Sequence, residues 1–424
     1  MLKVKLQVTS DESSEASSDA FVLHRAADHA VEFAEIPEMS NITDTVETGA
    51  MTHNMRLVIP ERFCSADITS EGGDVEVATI KEGALRVYSG QRLFPLTFQM
   101  PESGLALKDR RWHASMKGGD VRLGSIAATD LEVYTCGGEL SGRSLVAGDA
   151  DIETGGGDID IGKLMGTFVH VSTEDTEVSN DACGAVKCGA IYADNLHLIT
   201  GGKGVLIQEL NSKDAFVAAP GGAAITVESL AGTCVLSAGG PAPNRAVRPA
   251  PSQGVEAHLS GRVGQVMLLS HGGPIKLYLP HTAEQALTVL MRPAGAQSLE
   301  DLICSSSEEG MTARLGQWQR LSSFGKDSSP TWAPLDVQGV ASLLQQLHAF
   351  RGTECCRWLA EDDNVGQSSS DTVREDQGGV SGDHALVLLD AAGGEVSVLQ
   401  QSWTEMMAAK IGSPGVALKP AKDL

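Results

Sequence analysis

Paired glycines recur along this chain about nineteen residues apart, and each pair opens a run of alternating apolar residues. Val75, Val77 and Ile80 follow Gly72-Gly73; Val121, Leu123 and Ile126 follow Gly118-Gly119; Ile159, Ile161 and Leu164 follow Gly156-Gly157. Val205, Ile207 and Leu210 follow Gly201-Gly202, and Ile225, Val227 and Leu230 follow Gly221-Gly222; Leu140 and Leu145 follow Gly137-Gly138, and Ile275 and Leu277 follow Gly272-Gly273. The second glycines at 119, 138 and 157 are 19 residues apart. A second alternating segment precedes most pairs, as in Leu131, Val133 and Thr135 or Leu196, Leu198 and Thr200. Each unit thus reads as strand, glycine turn, strand. Alternation with period two sends one side of a strand inward. Glycine at the corner permits positive φ and close approach of stacked backbones.

Two short strands cannot bury an apolar face alone, so neighbouring units must stack at roughly 4.8 Å per coil. The constant period and the repeated corner favour an all-β, right-handed parallel β-solenoid over a sandwich of hairpins. Composition agrees. The chain has 424 residues, 42% of them hydrophobic, with 47 glycines and only nine Phe, five Trp and four Tyr. Val, Ile, Leu and Ala fill thin stacked coils better than a bulky globular core.

The expected organisation is an N-terminal segment of strands and acidic leader (1–55), the solenoid (56–282) with insertions at 90–112 and 241–262, a strand-and-helix cap (283–360), a Ser/Asp/Gly-rich linker without fixed structure (361–383) and a terminal hairpin and helix (384–424). Within the cap, Val337, Val340, Leu344, Leu347 and Phe350 share one face of an expected helix over 337–350, with Asp336 as N-cap. Asp175-Thr176 stands where a glycine pair is expected. HALVLLDAAGGEVSVLQQ (384–401) reads as a hairpin about an Ala-Ala-Gly-Gly turn, and 402–411 as a closing helix. Such a cap would cover an open edge.

The formal net charge is −23. A field of that sign repels phosphate backbones and anionic lipid, which argues against nucleic-acid binding and favours a cationic partner. No apolar run approaches the length of a membrane span. The N-terminus carries no apolar stretch of signal-peptide length and turns acidic early. Eight scattered cysteines (Cys64, Cys136, Cys183, Cys188, Cys234, Cys304, Cys355 and Cys356) include no Cys-x-x-Cys pair and read as buried thiols of a reducing compartment. The expectation is a cytoplasmic protein, with an organelle such as the mitochondrion left open.

The units SEGGDVEVATI, KGGDVRLGSI and TGGGDIDIGKL resemble those of the adhesin-like domain family of unknown function, built on a Gly-Gly-Asp-Val repeat. The likeness covers roughly 56–280, and the ending GGEVSVLQQSWTEMM is similar to the tail of that family's eukaryotic, intracellular members. The resemblance implies a right-handed parallel β-solenoid, no established enzymatic activity and no catalytic residues.

Among sites, an acidic ladder stands out. Asp74, Asp120, Glu139 and Asp158 all follow a glycine corner. On consecutive coils, Asp120, Glu139 and Asp158 would repel by about 3 kcal/mol per pair at an effective dielectric of 20, which a hard cation such as Ca²⁺ could relieve. The calcium-binding nonapeptide repeat, however, has a period of nine, so carboxylates fanned into solvent are expected instead, with no bound metal. Gly157 to Lys163 spells a phosphate-loop pattern, but Leu164 replaces its Ser/Thr and a strand follows where a helix belongs. Asp149, Asp151, Asp158 and Asp160 evoke polysaccharide-cleaving β-helices, yet Lys163 and Arg143 do not recur as basic partners. His113, His170, His197, His258 and His271 are dispersed, and His170 and His197 hold similar outward strand positions. The expected role is a non-enzymatic interaction or scaffold protein without a cofactor, its partner a protein along the flat β-face or at an exposed edge. The alternative is a carbohydrate-binding or polysaccharide-active β-helix, which stacked surface aromatics would favour.

Overall fold

The computed structural model describes residues 2–8, 64–70, 74–89, 118–174, 184–239, 252–280, 286–293, 317–323, 331–335, 343, 347, 353 and 384–401. The chain forms two compact units, Met1–Gly184 and Ala185–Leu424. Both are all-β and dominated by parallel pairing, and each is a parallel solenoid.

The first unit holds β1 (Leu2–Val8), β2 (Cys64–Ser70), β3 (Val75–Ser89), β4 (Val121–Tyr134), β5 (Leu140–Glu153) and β6 (Ile159–Ser172). β1 pairs antiparallel with β2. Every later pairing is parallel and sequential. β4 and β5 match from Val121↔Leu140 to Tyr134↔Glu153 at an unbroken offset of 19 residues, so one coil is one fourteen-residue strand plus a five-residue glycine corner. Val121, Leu123, Ile126, Leu131 and Val133 point inward and are buried, as are Ile159, Ile161, Leu164, Val169 and Val171. The alternation resets at Ile126 and Leu131, where the strand turns to keep its apolar side inward. Each buried aliphatic side chain contributes about 1.5–3 kcal/mol of transfer free energy, so five per coil drive the stacking.

At the 137–138 and 156–157 corners the two glycines have different jobs. The first takes the left-handed backbone, with φ +94° at Gly137 and +104° at Gly156. The second leaves no room for a side chain, because a Cβ on Gly157 would overlap the carbonyl of Gly138 on the preceding coil. Behind each corner a buried hydroxyl satisfies a turn carbonyl: Ser89 donates to Gly119, Thr135 to Gly138, Thr154 to Gly157 and Thr173 to Gly184. That last bond corrects the expectation at Asp175-Thr176. A Cβ on Gly184 would overlap the Gly157 carbonyl, as one on Gly157 would overlap Gly138. The corner glycine is therefore kept at 184, with 175–183, which lie outside the described residues, inserted ahead of it.

The second unit begins with β7 (Val186–Ile199), β8 (Val205–Ala219), β9 (Ile225–Ala238), β10 (Val255–Ser270) and β11 (Ile275–Pro280), all parallel in sequence order. The expected insertion at 241–262 is too long. Val255, Ala257 and Leu259 face inward on β10 and pair with Ile225, Val227 and Leu230. Periodicity obscured this because the register shifts between Leu259 and Val266.

Then the order departs from the chain. β12 (Ala286–Met291), β13 (Gln319–Ser323) and β14 (Thr331–Pro334) continue the sheet, the last two antiparallel. β15 (His384–Asp390) lies between β10 and β12, parallel to both. β16 (Val396–Gln401) pairs in parallel with β11. The expected hairpin over 384–401 is therefore wrong. Leu269↔Asp390 and Ile275↔Val396 keep one offset of 121 across the turn, so this segment is a further solenoid coil with its own glycine corner. An isolated Ala-Ala-Gly-Gly turn cannot be told from a hairpin, since only the neighbours decide whether the strands pair with each other. Arg292 fixes this coil through a two-pronged contact to Asp390, at 2.8 and 3.1 Å, and Asp390 also accepts the Ala392 N–H.

An apolar cluster covers the outward side of the second unit's sheet. Phe216, Val235, Met267, Leu386 and Leu388 pack there with Trp318, Leu343 and Leu347. Leu343 and Leu347 are the described residues of the expected 337–350 helix, and both are helical and buried. Leu347 belongs to the expected face, whereas Leu343 flanks it. The expected helix at 402–411, the linker 361–383 and the insertion at 90–112 lie outside the described residues.

Candidate functional site

Outward-facing positions of the first unit's long strands form columns, because a constant offset superimposes equivalent residues. On the second halves of β3 to β6, one column runs Arg86, Glu132, Asp151 and His170, and its neighbour runs Tyr88, Tyr134, Glu153 and Ser172. Asp130, Asp149 and Phe168 form a third.

The first two columns are laced diagonally. The Tyr88 hydroxyl donates to Glu132 Oε2 at 3.0 Å, and the Tyr134 hydroxyl donates to Asp151 Oδ2 at 2.6 Å. The tyrosine rings stack at 5.1 Å and are nearly parallel. Arg86 Nε meets Glu132 Oε1 at 3.2 Å. Burial first, then the hydrogen bond to Asp151 and that carboxylate's charge, hold the Tyr134 hydroxyl well above the usual phenol range, so it stays a donor.

The third rung breaks the pattern. Where Tyr88 meets Glu132 and Tyr134 meets Asp151, Glu153 now stands diagonal to His170. Asp151, Glu153 and His170 offer one ligand atom each, all within 4.8 Å of one another. Asp151 and His170 are half-buried and Glu153 is exposed. Asp151 Oδ1 is shut from solvent and accepts no hydrogen bond. Sequence reading named Asp151 and His170 separately and missed Glu153. The detectable signal was the offset of nineteen from 151 to 170, which puts them side by side.

The acidic ladder works locally. Asp74 Oδ1 accepts the Asp120 N–H and Asp120 Oδ1 accepts the Glu139 N–H, both at 3.0 Å. These carboxylates thus tie each corner to the next. Asp158 contributes its backbone carbonyl, which accepts the Leu140 N–H at 2.9 Å. Asp120→Ala is expected to cost about 1 kcal/mol in urea unfolding, and Asp120→Asn, which keeps an acceptor, less. If Ca²⁺ raised the wild-type melting temperature and the Asn variant abolished that rise, the ladder would instead be a cation site.

The other singled-out residues disperse. His197 stacks on Phe216 at 5.4 Å and His258 on Tyr278 at 4.0 Å, both in the second unit. Cys188 and Cys234 are buried, and burial pushes the Cys234 thiol far up. Cys136 departs from the expected buried thiol, since it is exposed and has φ +49° beside Gly137. Residues 159–163 of the phosphate-loop pattern run into β6, not a helix. No helix among the described residues is long and apolar enough to cross a membrane. Comparison with family models, curated proteins and solved structures finds no match to this chain.

Proposed function

We propose that the protein is a non-enzymatic interaction scaffold and that the outward columns of the first unit are its docking face. One contrast carries this reading. In the second unit one equivalent outward column turns apolar, with Phe216, Val235 and Met267 buried beneath Trp318, Leu343 and Leu347. In the first unit the outward columns stay polar, with Asp130, Glu132, Asp149, Asp151 and Glu153 outnumbering Arg86 and His170 around an exposed Phe168. A flat, rigid, acidic sheet with one aromatic anchor suits a basic protein segment carrying an apolar residue. The resemblance of the Gly-Gly-Asp units to the adhesin-like repeat family is compatible with such a role.

The tyrosine stack bears on the carbohydrate alternative. Sugar-binding tyrosines present an open ring face, whereas Tyr88 and Tyr134 turn faces to each other and donate both hydroxyls to carboxylates. Arg86 is likewise engaged with Glu132. These arrangements favour the protein partner.

Affinity capture from the cells of origin tests the proposal, with wild type beside Asp130→Lys/Asp149→Lys and a Lys213→Glu control in the second unit. Capture of a basic partner that weakens about tenfold or more on the acidic-face reversal, that fades with salt, and that survives the control is the expected result. A partner set unchanged by the reversal, or no reproducible partner, would overturn it.

A further inference from the structure

We propose that Asp151, Glu153 and His170 form a binding site for one divalent transition-metal ion of the Zn²⁺ class. The three come from adjacent strands whose register is fixed by the coil: Asp151 and His170 are direct cross-strand partners, and Glu153 lies two residues along from Asp151. Their ligand atoms lie within 4.8 Å of one another. An ion bonded at about 2.0–2.2 Å gathers such a trio after modest side-chain rotation.

A second observation points to a ligand. Asp151 Oδ1 is buried and accepts no hydrogen bond. A carboxylate oxygen removed from water normally finds a donor, and leaving it without one is costly. A cation supplies what that oxygen lacks. The other oxygen, Oδ2, accepts the Tyr134 hydroxyl at 2.6 Å, which fixes the orientation of the carboxylate. That is the arrangement expected of a ligand held by an outer partner. Tyr134 is itself held by its stack on Tyr88.

The donor set selects the ion. One imidazole nitrogen and two carboxylate oxygens suit Zn²⁺, Mn²⁺ or Fe²⁺, whereas Ca²⁺ and Mg²⁺ take oxygen ligands alone. Three protein ligands also leave a coordination position for water. The rung pattern explains why the trio occurs once along these columns. Lower rungs pair a phenol with an acid, which is neutral at the donor, and only here does an acid meet an imidazole beside a second acid.

The test uses the full chain, stripped with a chelator and dialysed, and titrated with Zn²⁺ alone or Ca²⁺ alone by calorimetry. Metal content after dialysis is measured in parallel. Because thiols and other histidines take up Zn²⁺ too, the readout is the difference between wild type and variants. Wild type is expected to bind one equivalent of Zn²⁺ more than His170→Gln or Glu153→Gln. Tyr134→Phe should retain that equivalent with affinity lowered about 10- to 100-fold. Glu153 is exposed, so Glu153→Gln guards against a variant that fails to fold, and an unchanged metal-free melt confirms it. Equal stoichiometry in wild type and both variants would overturn the proposal, as would equal uptake of Ca²⁺ at this site. Zn²⁺ binding by a chain that captures no protein partner would leave this site standing and remove only the scaffold reading.

Discussion

Gly157→Ala should destabilise the first unit by about 3 kcal/mol or more. The new Cβ would overlap the Gly138 carbonyl oxygen and lie 2.6 Å from its carbon. Both are backbone atoms of the preceding coil, so no side chain can swing aside. The coils must separate, and separation breaks the bond from Leu140 N–H to the Asp158 carbonyl that closes this corner. Gly155→Asn is the control. Gly155 has φ +56°, which asparagine tolerates, and the nearest atom to an added Cβ is 3.4 Å away. It should cost about 1 kcal/mol or less. Urea unfolding followed by circular dichroism measures both. Equal, small losses in the two variants would mean that the coils are not stacked through this corner.

Deleting residues 384–401 should abolish stable folding of the second unit. β15 is an interior strand, bonded to β10 on one edge and β12 on the other. Leu386, Val387, Leu388 and Leu389 are all buried, at about 1.5–3 kcal/mol each. Their sum is comparable with the whole net stability of a domain, about 5–15 kcal/mol. The deletion also removes the buried Asp390 that Arg292 pairs with, and takes Leu386 and Leu388 from the cluster around Trp318. Leu388→Ala isolates one part of this effect and should cost about 2–5 kcal/mol. Limited proteolysis and Trp fluorescence melts report on it. A deleted chain that melted with wild-type cooperativity would show that this segment is peripheral.

Much of the fold is legible in the sequence because the local rule repeats. Val121, Leu123, Ile126, Leu131 and Val133 could be assigned inward from alternation alone, and their counterparts at an offset of nineteen confirmed the period. The threonines at 135, 154 and 173 mark the same corner. Where the rule is interrupted, legibility fails for identifiable reasons. The bulge after Leu259 hid the first half of β10. The residues inserted before Gly184 made a retained corner look lost.

The site was half legible. The offset that aligns Asp151 with His170 can be counted from the sequence, and so can the one that aligns Asp130 with Asp149. What counting could not reveal is the diagonal reach of Tyr134 to Asp151, which depends on side-chain length and on the stack beneath it. Nor could it reveal that one oxygen of Asp151 is sealed from water. The acidic ladder shows the converse. Its alignment was visible, but whether its carboxylates face a cation or cap a backbone amide depends on one rotamer at each corner.

By itself the sequence determined the parallel coil, its period, its inward residues and the need for glycine at each turn, because these follow from alternation and backbone sterics over twenty residues at a time. Tertiary structure alone decided that residues 384–401, far along the chain from β10 and β12, slide between those two strands, and that one outward column of the second unit is apolar and covered where its counterpart in the first unit is polar. Those outcomes depend on which distant surfaces meet, and the free energy of meeting is not written in any local window.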